Sequence, residues 1–240
     1  TSIKKKKLPA MELFSALVKE RAETGRIYIM NVDHSNEHSS FKDKVYMSNL
    51  CQEITLPTKP LSHIDDPDGE IALCILSAIN VGVIKDLDDL EELCELAVRA
   101  LEEIIDYQAY PVKAAEISTK ARRSLGIGYI GLAHYLAKNK VKFDDPQSWK
   151  LVHDLTEAFQ YYLLKASNKL AQERGACDYF DRTKYSDGIL PIDTYKKDVD
   201  TIVENKLNYD WDTLRTDIQQ HGLRHSTLSA QMPSESSSVV

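Results

Sequence analysis

The stretch "MSNLCQEITLP", from Met47 to Pro57, places an amide, a thiol and a carboxylate at Asn49, Cys51 and Glu53. In an extended segment alternate side chains fall on opposite faces, so Asn49, Cys51, Glu53 and Thr55 share one face. Leu50, Ile54 and Leu56 take the other, and Pro57 and Pro60 end the run, as proline ends a strand. Three reactive groups on one side make that side the lining of a site. Hydrolytic cysteine enzymes need a histidine base, and none lies near in sequence, though one could come from afar. An Asn–Cys–Glu face suits hydrogen-atom or one-electron chemistry at sulfur, with Glu53 as general base and Asn49 as orienting donor. Cys74 lies on the next strand-like segment, and consecutive elements usually neighbour each other in a fold. Cys74 alone stays ambiguous, because cysteines in buried strands are common.

The elements that must position these groups read as alternating strands and helices. Leu13, Leu17 and Val18 among charges make an amphipathic helix from Pro9 to Glu23, stopped at Thr24–Gly25. "RIYIMNV" (26–32) reads as a strand, and 33–44 as a polar loop. "DDPDGE" (65–70) is a turn before the dense apolar run 71–84, a buried strand of a parallel sheet with a helix as competitor. After the N-cap residue Asp86, apolar residues recur at helical spacing from 87 to 105. A long helix covers 147–174, with Gly175 as its stop. Shorter helices near 193–204 and 210–220 lead to a strand-like 225–233, and "SESSSVV" opens a further helical turn. This alternation predicts α/β architecture with parallel pairing.

The chain has 240 residues, with 42% hydrophobic and 28% charged, as in a soluble globular protein of one or two domains. A net charge of -7 argues against a basic nucleic-acid-binding field. "KKKK" (4–7) reads as a solvated end. No apolar run is long enough to span a membrane, and no signal-peptide pattern occurs. Four cysteines are too few for a disulfide scaffold and point to a reducing compartment, the cytoplasm. Thr1 in place of Met, and the final Val239–Val240, read as cut ends of something larger.

Several motifs invite other functions. "GIGYIG" has Gly126, Gly128 and Gly131 at dinucleotide spacing, but "AAEISTKARRS" before it is helical and Gly131 falls in a helical pattern, so close helix packing is favoured. His34 and His38 stand four apart in what reads as a loop, without the glutamate of a zinc helix. Tyr161–Tyr162 belongs to the apolar stripe of the long helix. Cys94 reads as a buried small hydrophobe and Cys177 as structural.

"SNLCQEITLPTKPL", "DGEIALCILSAIN", "RRSLGIGYIGLAHYLAK", "YYLLKASNKLA", "GILPIDTYKKD" and "LRHSTLSAQMPSESSS" occur in that order. Together they closely resemble the large catalytic subunit of class I ribonucleotide reductase. The resemblance implies that residues 1–240 are part of a ten-stranded α/β barrel, with the radical cysteine on a central finger loop rather than a plain strand. By position, Cys51 matches the thiyl-radical cysteine that takes the 3′ hydrogen of the ribose. Glu53 matches the base for the 3′-hydroxyl, Asn49 the amide that binds the ribose hydroxyls, and Cys74 one member of the redox pair. "PSESSS" matches the substrate-diphosphate site, with Ser234, Ser236 and Ser237 as contributors and Glu235 using its backbone or pointing away. Ser236 stands where relatives often have Thr.

The resemblance also places the second redox cysteine upstream of Thr1. It puts the relay tyrosines and shuttle cysteines beyond Val240; Tyr161–Tyr162 does not match them. The radical would come from a metal-containing small subunit, and the reductant would be thioredoxin or glutaredoxin. ATP and dNTP effectors would act outside this segment, in a homodimer of the intact subunit. A partial barrel leaves sheet edges open, so the segment is expected to be inactive alone. The competing expectation is a split or degenerate relative that acts only in assembly or binding.

Overall fold

A computed structural model describes residues 3–204 and 206–235. It divides into two compact units, one ending at Asn31 and one beginning at Val32. In the first, α1 (Ala10–Thr24) ends where Gly25 adopts a left-handed φ of 64° and donates its N–H to Arg21 O. No α1 side chain is buried within this unit. Residues 26–31 form no strand, although their residue types favour one. β-propensity mainly measures side-chain packing on a half-buried surface, and Tyr28 and Ile29 are exposed.

The second unit starts with a difference from the sequence reading. Residues 32–38 are helical, α2 (Val32–His38), not a loop. Asn36 accounts for it: its side-chain N–H donates to Val32 O and Val45 O, and its oxygen accepts from Val45 N, each at 2.8 Å. The amide thereby supports the helix and ties it to the following chain. His34 and His38 thus do lie on a helix, and the His38 ring meets the Thr194 carbonyl.

β1 (Ile75–Asn80) pairs in parallel with β2 (Leu125–Ile130), with Ile75 opposite Leu125 and Leu76 opposite Gly126. Only the middle of 71–84 is therefore strand, and it is half-exposed instead of buried; Leu76 keeps 43% of its surface. Between the strands run α3 (Asp89–Tyr107) and α4 (Lys113–Arg122). Asp86 caps the approach to α3 by accepting from Asp88 N and Asp89 N. α5 (Leu132–Lys138) follows β2, and the long α6 (Pro146–Arg174) is capped by Asp145, whose carboxylate accepts from Gln147 N. The 191–201 region forms short 3-10 turns in place of a helix, and α7 (Trp211–His221) matches its expectation. The segment after it lies along β2: Leu125 N donates to Thr227 O and Ile127 N to Leu228 O.

The core is built on one face of β2. Leu125 and Ile127 pack there with Leu90, Val98 and Ile105 of α3 and Leu155, Phe159 and Leu163 of α6. The other face of the same strand carries Gly126 and Gly128. "GIGYIG" is therefore neither a helix nor a loop. Its first five residues lie in β2, and Gly131, at φ 80°, stands just before α5 rather than within it.

Candidate active site

Residues 47–56 are a reversing loop, not a strand. Gln52 N donates to Asn49 O and Asn49 N to Ile54 O, both at 3.2 Å. Asparagine is favoured at the first position of such a turn. Gln52 completes it at φ 65°, in the left-handed region that a side chain resists. The fold thus overturns the shared-face reading. In a strand, residues four apart stand about 13 Å from each other. Here the Asn49 side-chain N–H donates to Glu53 Oε1 at 2.6 Å.

The turn fixes both groups. Asn49 Oδ1 accepts from Ile54 N at 3.1 Å, which sets the amide so that its N–H faces Glu53. Glu53 Oε2 is buried and has no hydrogen-bond partner among the described residues. One carboxylate oxygen is therefore held while the other is left unpaired among the described residues. Cys51 projects from the turn, exposed and unbridged. Asn49 also borders a cavity of about 550 Å³ lined by Tyr46, Met47, Ile54, Leu56 and Ile71, with Lys59 and Glu70 at its polar side.

Cys74 sits just before β1, half-buried and unbridged. Burial pushes its thiol up to about 12, and the negative charge of Glu53 adds to the rise. The 47–56 loop thus lies near enough for the charge of Glu53 to act on Cys74. Ser234 is half-buried and Glu235 exposed at the end of the described chain; Ser236 and Ser237 lie outside the described residues. The structure thus pairs Asn49 with Glu53, while Cys74 feels the charge of Glu53 without a hydrogen bond to either among the described residues, and Cys51 projects from the same turn.

Two features escaped the sequence reading. The first is a buried polar clamp behind the site. Glu102 accepts from Arg123 Nε at 2.7 Å, Arg224 Nε at 2.7 Å and His225 Nε2 at 3.1 Å, and both Glu102 and His225 are 0% exposed. Ser167 Oγ bonds His225 Nδ1 at 2.9 Å. The only signal was a glutamate at an apolar position of a helix stripe. The second is the packing at Gly126 and Gly128, signalled by glycine at alternate positions of an apolar run. A Cβ at Gly128 would meet Ala230 O at 2.5 Å, so that glycine admits the neighbouring backbone.

His153, Asp154 and Glu157 also cluster within metal-ligating distance of one another. Glu157 is instead occupied with Asn208 N, Asn208 Nδ2, Tyr209 N and Trp211 Nε1, and Asp154 with Lys150. These contacts anchor the chain entering α7.

The parallel β1–β2 pair covered by helices, with Cys51 on an exposed turn and Cys74 just before β1, places the chain among the α/β proteins. The chain matches the family model described as "Ribonucleotide reductase, barrel domain" over residues 1–240. It belongs to the ribonucleotide reductase family. It is 60% identical to the ribonucleoside-diphosphate reductase subunit alpha of Haemophilus influenzae, and 58% identical to the ribonucleoside-diphosphate reductase 1 subunit alpha of Escherichia coli K12. Identity to the subunit alpha of enterobacteria phage T4 is 45%. Each match covers 100% of this chain and 32% of the relative, so the chain spans about a third of their length.

Proposed function

We propose that this chain is the part of a ribonucleoside-diphosphate reductase large subunit that carries its radical cysteine and substrate-facing carboxylate. The observation that carries the reading is the turn that also bears Cys51, in which Asn49 holds one oxygen of Glu53 and leaves the other without a hydrogen-bond partner among the described residues. In the complete barrel this turn is the finger loop. The oxidising equivalent comes from a separate metal-containing small subunit and leaves Cys51 as a thiyl.

The Cys51 sulfur takes the 3′ hydrogen atom of the ribose, leaving a carbon radical at C3′. Glu53 Oε2 removes the 3′-hydroxyl proton, and the electron density released at C3′ expels the 2′-hydroxyl. Cys74 and a second thiol from the rest of the subunit supply two electrons and two protons. One proton leaves with the hydroxyl as water, the other reaches C2′, and the thiols close to a disulfide. Glu53 then returns its proton to the 3′ oxygen, and Cys51 returns the hydrogen atom to C3′. The buried, protonated Cys74 suits this role, because it must give up hydrogen and not only electrons. Asn49 orients the ribose hydroxyls, and Ser234, Ser236 and Ser237 are the residues assigned to the diphosphate, with Glu235 using its backbone or pointing away.

The intact subunit would work as a homodimer in the cytoplasm, re-reduced by thioredoxin or glutaredoxin, with ATP and dNTP effectors bound elsewhere. Among the described residues no helix is long and apolar enough to cross a membrane. Because the chain spans about a third of its relatives' length, activity is expected only in the company of the rest of the subunit. The test restores it to its full-length subunit, adds the small subunit and compares wild type with Cys51→Ser. Deoxycytidine diphosphate formation should vanish in the variant; equal turnover in both would sink the mechanism, and none in either would favour a scaffold.

A further inference from the structure

Gly126 lies in β2 on the face that turns away from the helical core, directly across from Leu76. It is buried, and its lack of a side chain is filled by its neighbours. A Cβ built there would stand 2.8 Å from Cys74 Sγ, 2.5 Å from Leu76 Cδ2 and 3.2 Å from Ala230 Cβ. Its φ is not in the left-handed region, so backbone conformation does not demand glycine at this position. Space does. Of the three contacts, Leu76 is half-exposed and its long side chain can swing outward, whereas the Cys74 thiol, on a half-buried residue, hangs on a short side chain with a single rotatable Cα–Cβ bond. A methyl at 126 would therefore move the sulfur, which would have to retreat by roughly 1 Å to reach ordinary van der Waals separation.

We propose that Gly126 is a positioning residue for the reductive half of the reaction: it provides the seat that keeps the Cys74 sulfur within reach of the substrate and of its partner thiol. This rests on the ribonucleotide reductase reading above and extends it to a residue that touches neither substrate nor radical. Cys51 and Glu53 are carried by the 47–56 loop, on which Gly126 makes none of its three close contacts. Filling the seat should separate the two halves of the chemistry. Hydrogen abstraction at C3′ and loss of the 2′-hydroxyl need Cys51 and Glu53; delivery of two electrons needs Cys74. A 1 Å misplacement of a reacting group costs about 10²-fold in rate.

The experiment uses the full-length subunit with its small subunit. It compares wild type, Gly126→Ala, Leu76→Ala and the Gly126→Ala/Leu76→Ala pair, with Cys51→Ser as control. Three quantities are read: consumption of a 3′-tritiated cytidine diphosphate, deoxynucleotide formed, and Cys74 disulfide after one turnover without external reductant. In Gly126→Ala, deoxynucleotide and disulfide should fall by about 10- to 100-fold, while substrate consumption stays within about threefold. The loss should persist in the pair, relative to Leu76→Ala, because removing Leu76 relieves strand crowding but not the contact with sulfur. Rescue in the pair, parallel loss of substrate consumption, or unchanged deoxynucleotide yield would each overturn the proposal. So would failure of both Gly126 variants to fold, since the glycine would then serve the strand rather than the thiol. Turnover by Cys51→Ser, or none by wild type, would instead overturn the reductase reading itself.

Discussion

Two polar regions of this molecule are built on opposite principles. At 222–226, buried side chains pin the chain residue by residue. Asn168 donates to Gly222 O, Cys177 N to Leu223 O, Arg224 to Glu102, His225 to Glu102, and Ser226 N to Arg122 O. Every charge there is met by another, in a region closed to water. At 49–54 an exposed loop rests on a few hydrogen bonds, carries a left-handed Gln52 and leaves one Glu53 oxygen unmet. The comparison shows where this fold keeps its stability and where its reactivity. A satisfied carboxylate such as Glu102 cannot accept a substrate proton, and an unsatisfied one such as Glu53 contributes little to holding the chain.

The sharpest way to break the comparison is to disarm the clamp. Glu102→Ala removes the carboxylate shared by buried Arg123 and part-buried Arg224. Breaking such a pair costs about 3–5 kcal/mol, and because Arg123 keeps Asp106 the loss should fall at the lower end of that range. The urea unfolding midpoint of the full-length subunit should drop accordingly. A shift no larger than that of a surface substitution would show that the clamp is not where stability resides.

Acid should act on the same region. Burial alone would raise the Glu102 carboxyl, but hydrogen bonds from His225, Arg123 and Arg224 outweigh it and hold the group at about 2. Burial lowers His225 below its ordinary 6.5, so the folded clamp keeps the imidazole neutral. The unfolded chain binds a proton at His225 as pH falls through 6.5, and another at Glu102 as it falls through 4.5. In both cases the unfolded state holds more protons, so stability declines as pH falls. The decline should start near pH 6.5 and steepen below 4.5, by about 1.4 kcal/mol per pH unit for each proton. Denaturation monitored from pH 8 to 3 checks this, and Glu102→Ala should flatten the lower stage.

The loop should respond the other way. Asn49→Ala removes the bond to Glu53 and the one from Ile54 N, yet the site is exposed, so stability should change by about 1 kcal/mol or less. Turnover should fall about 10²-fold, because the carboxylate loses its orientation. Unfolding midpoint and turnover measured on the same preparation sharpen the contrast with Glu102→Ala. The smallest effect is expected for Gln52→Gly. Relief of the left-handed conformation, about 1–2 kcal/mol, is largely offset by the greater freedom of glycine in the unfolded chain, about 0.4–1 kcal/mol. Net stabilisation of up to about 1 kcal/mol should appear in the unfolding midpoint.

How much was legible in the sequence varies with the range of the forces involved. α3 and α6 were readable because a 3.6-residue stripe, with an aspartate before α3 and a glycine after α6, is a local signal. β1 was legible inside the apolar run 71–84, and the alternation of elements predicted parallel pairing. β2 was not legible, because GIGYIG follows a helix and its alternate glycines give no strand signal of their own. Residues 26–31 misled, because strand-forming side chains do not make a strand without the surface they would pack against. Residues 32–38 misled in the other direction, because Asn36 gains its support from Val45, nine residues on. At the site, the residue types at Asn49, Cys51, Glu53 and Cys74 were evident, and their order resembled one family. Their arrangement was not, since a strand and a turn give the same spacing in sequence and opposite distances in space.

The sequence by itself determined the residue types available, the long helices and the family, because each is encoded in residue type, short-range period or ordered motifs. Tertiary structure decided the rest. It turned Asn49 back onto Glu53, placed Cys74 against a strand emptied at Gly126, and buried Glu102 among two arginines and a histidine. Those outcomes depend on which distant groups meet, and on the burial that makes an unmet charge costly and a missing methyl useful.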